Sequence, residues 1–186
     1  MTPDVFDLIE DYQEGCRYEL IQGVLVVNPI PRKPSRGMAV RLMHLLEKYG
    51  DEFEKDIDFF TVLFEEEIRL PNGNRRRCDV AIWLELARNP QPDDVPTITV
   101  EFVSKRKADV KRDYVDKRAD YLEAGVQEYW IIDRFQRTMT ALKNRRGRWQ
   151  ERRLSEGEKY TTSLLPRFEL DISELFARAD ALPEDD

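Results

Sequence analysis

Two acidic residues stand where a folding chain has reason to avoid them. Glu101 interrupts Ile98-Thr99-Val100 and Phe102-Val103, a β-branched and apolar run that predicts a strand buried on at least one face. Asp79 occupies the same kind of position in Cys78-Asp79-Val80-Ala81-Ile82-Trp83. A carboxylate taken out of water is costly unless a cation or hydrogen-bond donors satisfy it. A divalent cation between the two is a physical solution. Mg2+ demands oxygen ligands at about 2.0–2.1 Å and keeps several waters, so two carboxylates plus a phosphate oxygen suit it, with Mn2+ as a substitute. The chemistry of such a site is polarisation of a phosphoryl group and activation of water. The plainer reading has Asp79 ending a turn and Glu101 facing solvent on an edge strand.

Asp113, Lys117 and Tyr121 recur every fourth residue and so share one helix face. They read as an Asp–Lys pair worth about 0.3–0.5 kcal/mol with a tyrosine packed below. A sharper reading, which the spacing alone does not carry, has an ammonium, Lys117, aimed at the carboxylates to hold a water or steady developing charge on phosphorus. Glu19, in Arg17-Tyr18-Glu19-Leu20-Ile21, is a third acidic candidate, and on its own residues it reads as exposed on a hairpin strand.

Other chemistries have little to work with. His44 is the single histidine and sits in a helical run among apolar residues, a core-edge position. Cys16 and Cys78 are the only cysteines, too few for a zinc cluster or a disulfide framework. Tyr129 and Trp130 read as core, and Trp149, among arginines, as the better aromatic for a nucleic-acid contact. The net charge of −7 argues against an anionic partner until its distribution is considered. Basic residues gather in three places: Lys105–Arg118, Lys143–Arg153 and Arg75-Arg76-Arg77. Each field reaches about a Debye length, ~8 Å, so local patches matter more than the total.

The elements that must position these groups follow from pattern and punctuation. The sequence predicts a helix over 3–14 closed by Gly15, then a hairpin turning at Gln22-Gly23. A loop with three prolines precedes a helix over 38–49. Strands are predicted over 59–70 and 77–84 about the turn Pro71-Asn72-Gly73-Asn74, and over 97–103. A helix over 107–124 ends at Gly125 and leads to strands over 127–132, 138–143 and 148–154, then a short helix over 173–178 and an acidic end. This order implies an α/β fold: a mixed central β-sheet flanked by helices, as one domain over 1–186 with a short acidic tail. The apolar runs are too short to span a bilayer, and 1–8 carries two Asp and no basic residue, so no membrane association and a cytoplasmic location are expected.

Several of these pieces together resemble a known family. Arg17-Tyr18-Glu19-Leu20-Ile21-x-Gly23, Cys78-Asp79-Val80-Ala81, Glu101-Phe102-Val103-Ser104 and Asp113-x3-Lys117-x3-Tyr121-x3-Gly125-Val126-x-Glu128-Tyr129-Trp130 are similar to the Uma-two family of restriction-endonuclease-like proteins. The likeness runs from about Arg17 to Leu175. It implies a PD-(D/E)XK core, a metal-dependent endonuclease acting on DNA, catalytic Asp79 and Glu101 holding magnesium, and Glu19 approaching from the first hairpin. By analogy with nucleases of this fold it also implies a homodimer. The chain departs from the pattern in three ways. Cys78 replaces the usual Pro, Val103 stands where the superfamily has Lys, and Ser35 or Arg36 stands where relatives carry His. Lys117 is then the best-placed substitute for the missing lysine, with Lys105 the runner-up. A catalytically weak nuclease-fold module for nucleic-acid binding or dimerisation is the alternative.

Overall fold

The computed structural model describes residues 1–10, 12–53, 60–105 and 110–184. The chain opens with one helical turn, α1 (Pro3–Phe6), a hairpin of β1 (Cys16–Ile21) and β2 (Val24–Pro29), and a long helix, α2 (Lys33–Phe53). Strands β3 (Phe60–Phe64), β4 (Glu67–Arg69), β5 (Arg75–Arg77), β6 (Val80–Leu84) and β7 (Ile98–Phe102) follow. A π-helical turn, Arg112–Asp116, then runs into α3 (Lys117–Ala124). Beyond it lie β8 (Glu128–Asp133), β9 (Thr138–Asn144), β10 (Trp149–Ser155), β11 (Lys159–Thr162), β12 (Leu165–Asp171) and α4 (Ile172–Asp180).

The central sheet has the order β10-β9-β8-β7-β6-β3. It is mixed, because β7 and β8 pair in parallel and the other neighbours antiparallel. A crossover containing α3 makes that parallel step. Both faces are covered, and strand alternation sorts the side chains between them. Val80, Ile82, Ile98, Val100, Phe102, Trp130 and Ile132 face one core with α2 and α4. Ala81, Trp83, Val103, Tyr129 and Ile131 face a second with Tyr121 of α3. Glu101 shares the parity of Val103, so its carboxylate sits on the face of the second core.

A second sheet, β2-β1-β5-β4, is joined to the first where two strands bend together. The long strands predicted over 59–70 and 77–84 are each broken, the first at Glu65-Glu66 and the second at Cys78-Asp79. Glu65 takes a left-handed φ of 60°. The chain is held through the bend by Glu65 N–H on the Asp79 carbonyl at 3.1 Å and Cys78 N–H on the Glu66 carbonyl at 3.0 Å. Asp79 therefore marks a corner between two sheets instead of lying inside a strand.

Other expectations need correction. The first helix is a single turn, because Tyr12 packs edge-on against Tyr18 at 4.9 Å and the Gln13 N–H bonds the Tyr18 hydroxyl at 3.0 Å, tying that segment to β1. α2 begins at Lys33, since Pro34 falls in its first turn, where a missing N–H costs nothing. His44 is exposed on α2, not at the core edge. The β11–β12 hairpin was not anticipated. Positions 11, 59, 107–109 and 185–186, predicted in the first helix, a strand, a later helix and the acidic end, lie outside the described residues. No helix among the described residues is long and apolar enough to cross a membrane.

Candidate active site

β1 alternates its side chains, so Arg17 and Glu19 project the same way. Glu19 is 2% exposed, contrary to its plainer reading. Its Oε1 accepts the Arg77 N–H at 3.0 Å and its Oε2 accepts Asn28 Nδ2 at 3.1 Å. Burial pushes its pKa up, but Lys117, the Arg77 N–H, Arg76 and Arg112 outweigh burial and hold it below the usual carboxylate range.

The corner at Asp79 makes the next part. The register Val80↔Val100 would bring residue 78 opposite Phe102. The chain bends away there, and the Asp79 side chain takes over, with Oδ2 accepting the Phe102 N–H at 2.7 Å. Oδ1 accepts Arg17 Nη1 at 2.9 Å, and Arg17 Nε lies 3.1 Å from Glu65 Oε2. Asp79 is therefore buried and held against the backbone immediately after Glu101.

Glu101, 2% exposed, receives Lys117 Nζ at 2.8 Å and the Tyr121 hydroxyl at 2.9 Å, both on Oε1. Burial dominates its titration. With the charges of Asp79 and Asp113 it outweighs Lys117 and pushes the pKa up to about 8. Lys117 also donates to the Arg77 carbonyl at 2.6 Å and lies 3.8 Å from Glu19 Oε1. Burial lowers the pKa of its ammonium, but the surrounding carboxylates raise it further, so it stays charged. Asp113 on the same face is pushed up to about 6, chiefly by burial. It pairs with Arg112 Nε at 3.0 Å rather than with Lys117 as an i,i+4 pair.

The four predicted residues, Glu19, Asp79, Glu101 and Lys117, thus line one cleft of about 380 Å3, together with Arg17 and Arg112. Lys105 is on its exposed rim, and buried Ser35 also lines it. Val103 is fully buried in the second core. Burial drives Glu101 towards its neutral form even with an ammonium at 2.8 Å. Lys117 and Tyr121 both use Oε1 and leave Oε2 to other partners. Among the described residues no group of three or more His, Cys, Asp or Glu side chains forms a ready cage for an ion. Asp79 and Glu101 are the carboxylates of this cleft placed one strand apart, and a divalent cation held there would draw its remaining ligands from water and substrate oxygen.

A family described as "Putative restriction endonuclease", Uma2, matches residues 3–173. This chain belongs to the Uma2 family. No curated protein matches it. A crystal structure titled as a putative nuclease belonging to DUF820, from Anabaena variabilis, superimposes with a TM-score of 0.74 at 16% identity, covering 96% of this chain and 99% of that one. That likeness is one of fold, and the fold is restriction-endonuclease-like.

Two expectations for this Uma2 chain change. Arg75 and Arg76 do not form an outward basic patch: Arg75 is bidentate on Asp7 at 2.9 and 3.0 Å, and Arg76 Nε is 2.6 Å from Asp120. Trp149 is pinned by its Nε1 on the Arg118 carbonyl at 2.8 Å and packs against the second core. Tyr129 and Trp130 are core, as expected. Sequence reasoning missed Arg17 as the partner of Asp79. Its signal was the i,i+2 spacing from Glu19 on one strand.

Proposed function

We propose that this chain is a metal-dependent endonuclease that hydrolyses phosphodiester bonds in DNA. The observation that carries the reading is the convergence of Glu19, Asp79, Glu101 and Lys117, from four separate segments, on one open cleft. Asp79 and Glu101 would hold a Mg2+ ion, with Mn2+ as a substitute, and the ion when bound supplies Lewis acidity towards a phosphate oxygen. Glu19, held ionised by its basic neighbours, orients the attacking water by accepting its hydrogen. Lys117 places a fixed positive charge beside the reacting phosphate, where negative charge grows in the transition state. In balance, a water oxygen bonds to phosphorus, one P–O ester bond breaks, and the water's proton ends on the departing alkoxide. Cutting both strands of a duplex calls for two such sites, and we propose a homodimer to supply them, which a sedimentation experiment tests.

A second reading, a nuclease-fold module without useful turnover, draws support from Val103 and from the Arg17 and Lys117 contacts that already neutralise the acids. One experiment decides between them. Wild type should nick supercoiled plasmid in Mg2+ or Mn2+, and Glu101→Ala should not. Melting temperature should rise with Mg2+ in wild type and stay flat in Asp79→Ala. Intact plasmid with a metal-dependent melt favours the module. A flat melt in both proteins removes the metal site.

A further inference from the structure

We infer that Arg134 and Arg32 form a subsite for a backbone phosphate of the nucleic acid at the mouth of the cleft, and that the carboxylate of Glu184 stands in for that phosphate. The inference rests on the nucleic-acid reading above and adds a second contact to it.

Arg134 follows directly on β8. The Asp133 carboxylate accepts the N–H groups of Phe135 and Gln136 at 2.9 and 3.0 Å, which fixes the turn that carries it. The guanidinium carbon lies 4.2 Å from the centre of the Phe135 ring, so the fork sits over an aromatic face. The Arg134 side chain is only 12% exposed, and its Nε is buried with no hydrogen-bond partner among the described residues. Such a guanidinium is pre-set for a bidentate oxyanion.

The oxyanion it meets belongs to the chain itself. Arg134 Nη2 donates to Glu184 Oε1 at 2.5 Å, and Arg32 Nη1 lies 3.8 Å from Glu184 Oε2. Glu184 is 54% exposed at its side chain, so it is held by these two cations rather than by burial. It reaches them because the segment after α4 lies close on α2. A Cβ added to Gly37 would sit 2.3 Å from Leu182 Cδ1. All three residues line the same cleft as Asp79 and Glu101. A carboxylate bridging two arginines presents two oxygens, as the non-bridging oxygens of a phosphodiester do. A strand entering the cleft therefore displaces Glu184 and takes its partners.

The test is anisotropy of a labelled duplex oligonucleotide in Ca2+, with its integrity checked on a gel and the folding of each variant checked by thermal melt. Glu184→Gln should bind several-fold more tightly than wild type. Arg134→Gln should bind more weakly, with a slope of log K against log salt shallower by about 0.9, the loss of one phosphate contact. Glu169→Gln, which removes the same charge beside Lys159 on the β11–β12 hairpin, should leave affinity unchanged. If Glu169→Gln tightens binding as much as Glu184→Gln, or if Arg134→Gln keeps the wild-type slope, the subsite is overturned while the nucleic-acid reading stands. Absence of binding by every protein overturns that reading, and the subsite with it.

Discussion

The Lys117 ammonium, carried by α3, meets the Glu101 carboxylate of β7 at 2.8 Å, with both residues 2% exposed. Removing one partner of such a pair strands the other in the core, a loss of about 3–5 kcal/mol. Lys117→Met should fall in this range by urea unfolding of metal-free protein. Glu101 has an escape, because its pKa is already about 8. Without the cation it takes up a proton that the unfolded chain would have released. The raised folded pKa means that wild type loses stability as pH rises from 4.5 to about 8. Losing the ammonium raises that pKa further, so the variant goes on losing stability and the penalty should grow between about pH 8 and 10. Adding Glu101→Gln should recover part of the loss and flatten the pH dependence. A penalty that is the same at both ends of that range would show that the pair is not what holds Lys117 in place.

Arg17 acts on the other acid. Its Nη1 sits 2.9 Å from Asp79 Oδ1, neutralising a carboxylate that a divalent cation would also use. Arg17→Gln keeps a hydrogen-bond donor and removes the charge, so Mn2+ should bind several-fold more tightly by calorimetry. Weaker binding would mean that Arg17 orients Asp79 for the ion more than it competes with the ion.

One acid of this site was legible for a simple reason: a carboxylate inside an apolar strand violates the pattern around it. Glu101 shows this directly, and Lys117 was legible because helix periodicity alone carries it to the face of Tyr121. Glu19 was not, since an isolated hairpin strand has no visible inner face until β5 pairs with β1. The bend at Asp79 was hidden for another reason. Val80 to Leu84 continues the β-rich pattern without a break, and the interruption is imposed by pairing with β3 and by the left-handed backbone at Glu65. Arg75-Arg76 misled because charge in sequence says nothing of its partners. Asp7 and Asp120, 68 and 44 residues away, turn those guanidiniums inward.

Glu128 explains why the stretch around Tyr129-Trp130 is so constrained. Its carboxylate accepts Trp130 Nε1 at 2.9 Å, the Tyr160 hydroxyl at 2.8 Å and the Thr162 hydroxyl at 2.5 Å, with Lys143 Nζ at 3.2 Å. One buried acid thus fastens the β11–β12 hairpin to the central sheet. Glu128→Ala leaves buried donors unpaired at about 1–3 kcal/mol each, so a loss of at least about 3 kcal/mol is expected by urea unfolding. Hydrogen exchange at Tyr160 and Thr162 should accelerate before that of β7 and β8. Uniform acceleration across the sheet would show that the hairpin does not open separately.

Asp7 gives the acid-side counterpart. Its bidentate contact with Arg75 ties the end of α1 to β5, and that hydrogen bonding, against a smaller effect of burial, lowers its pKa below 3.8. A lowered folded pKa means that the contribution is present above 3.8 and is lost as pH falls through the folded value. Asp7→Asn should therefore melt below wild type at neutral pH, and the gap should close on acidification below 3.8. Arg75 stays charged throughout, so nothing on its side of the contact can mimic that closure. A gap that persists unchanged into strong acid would assign the stabilisation to packing of Phe6, which is 1% exposed, and not to the ion pair beside it.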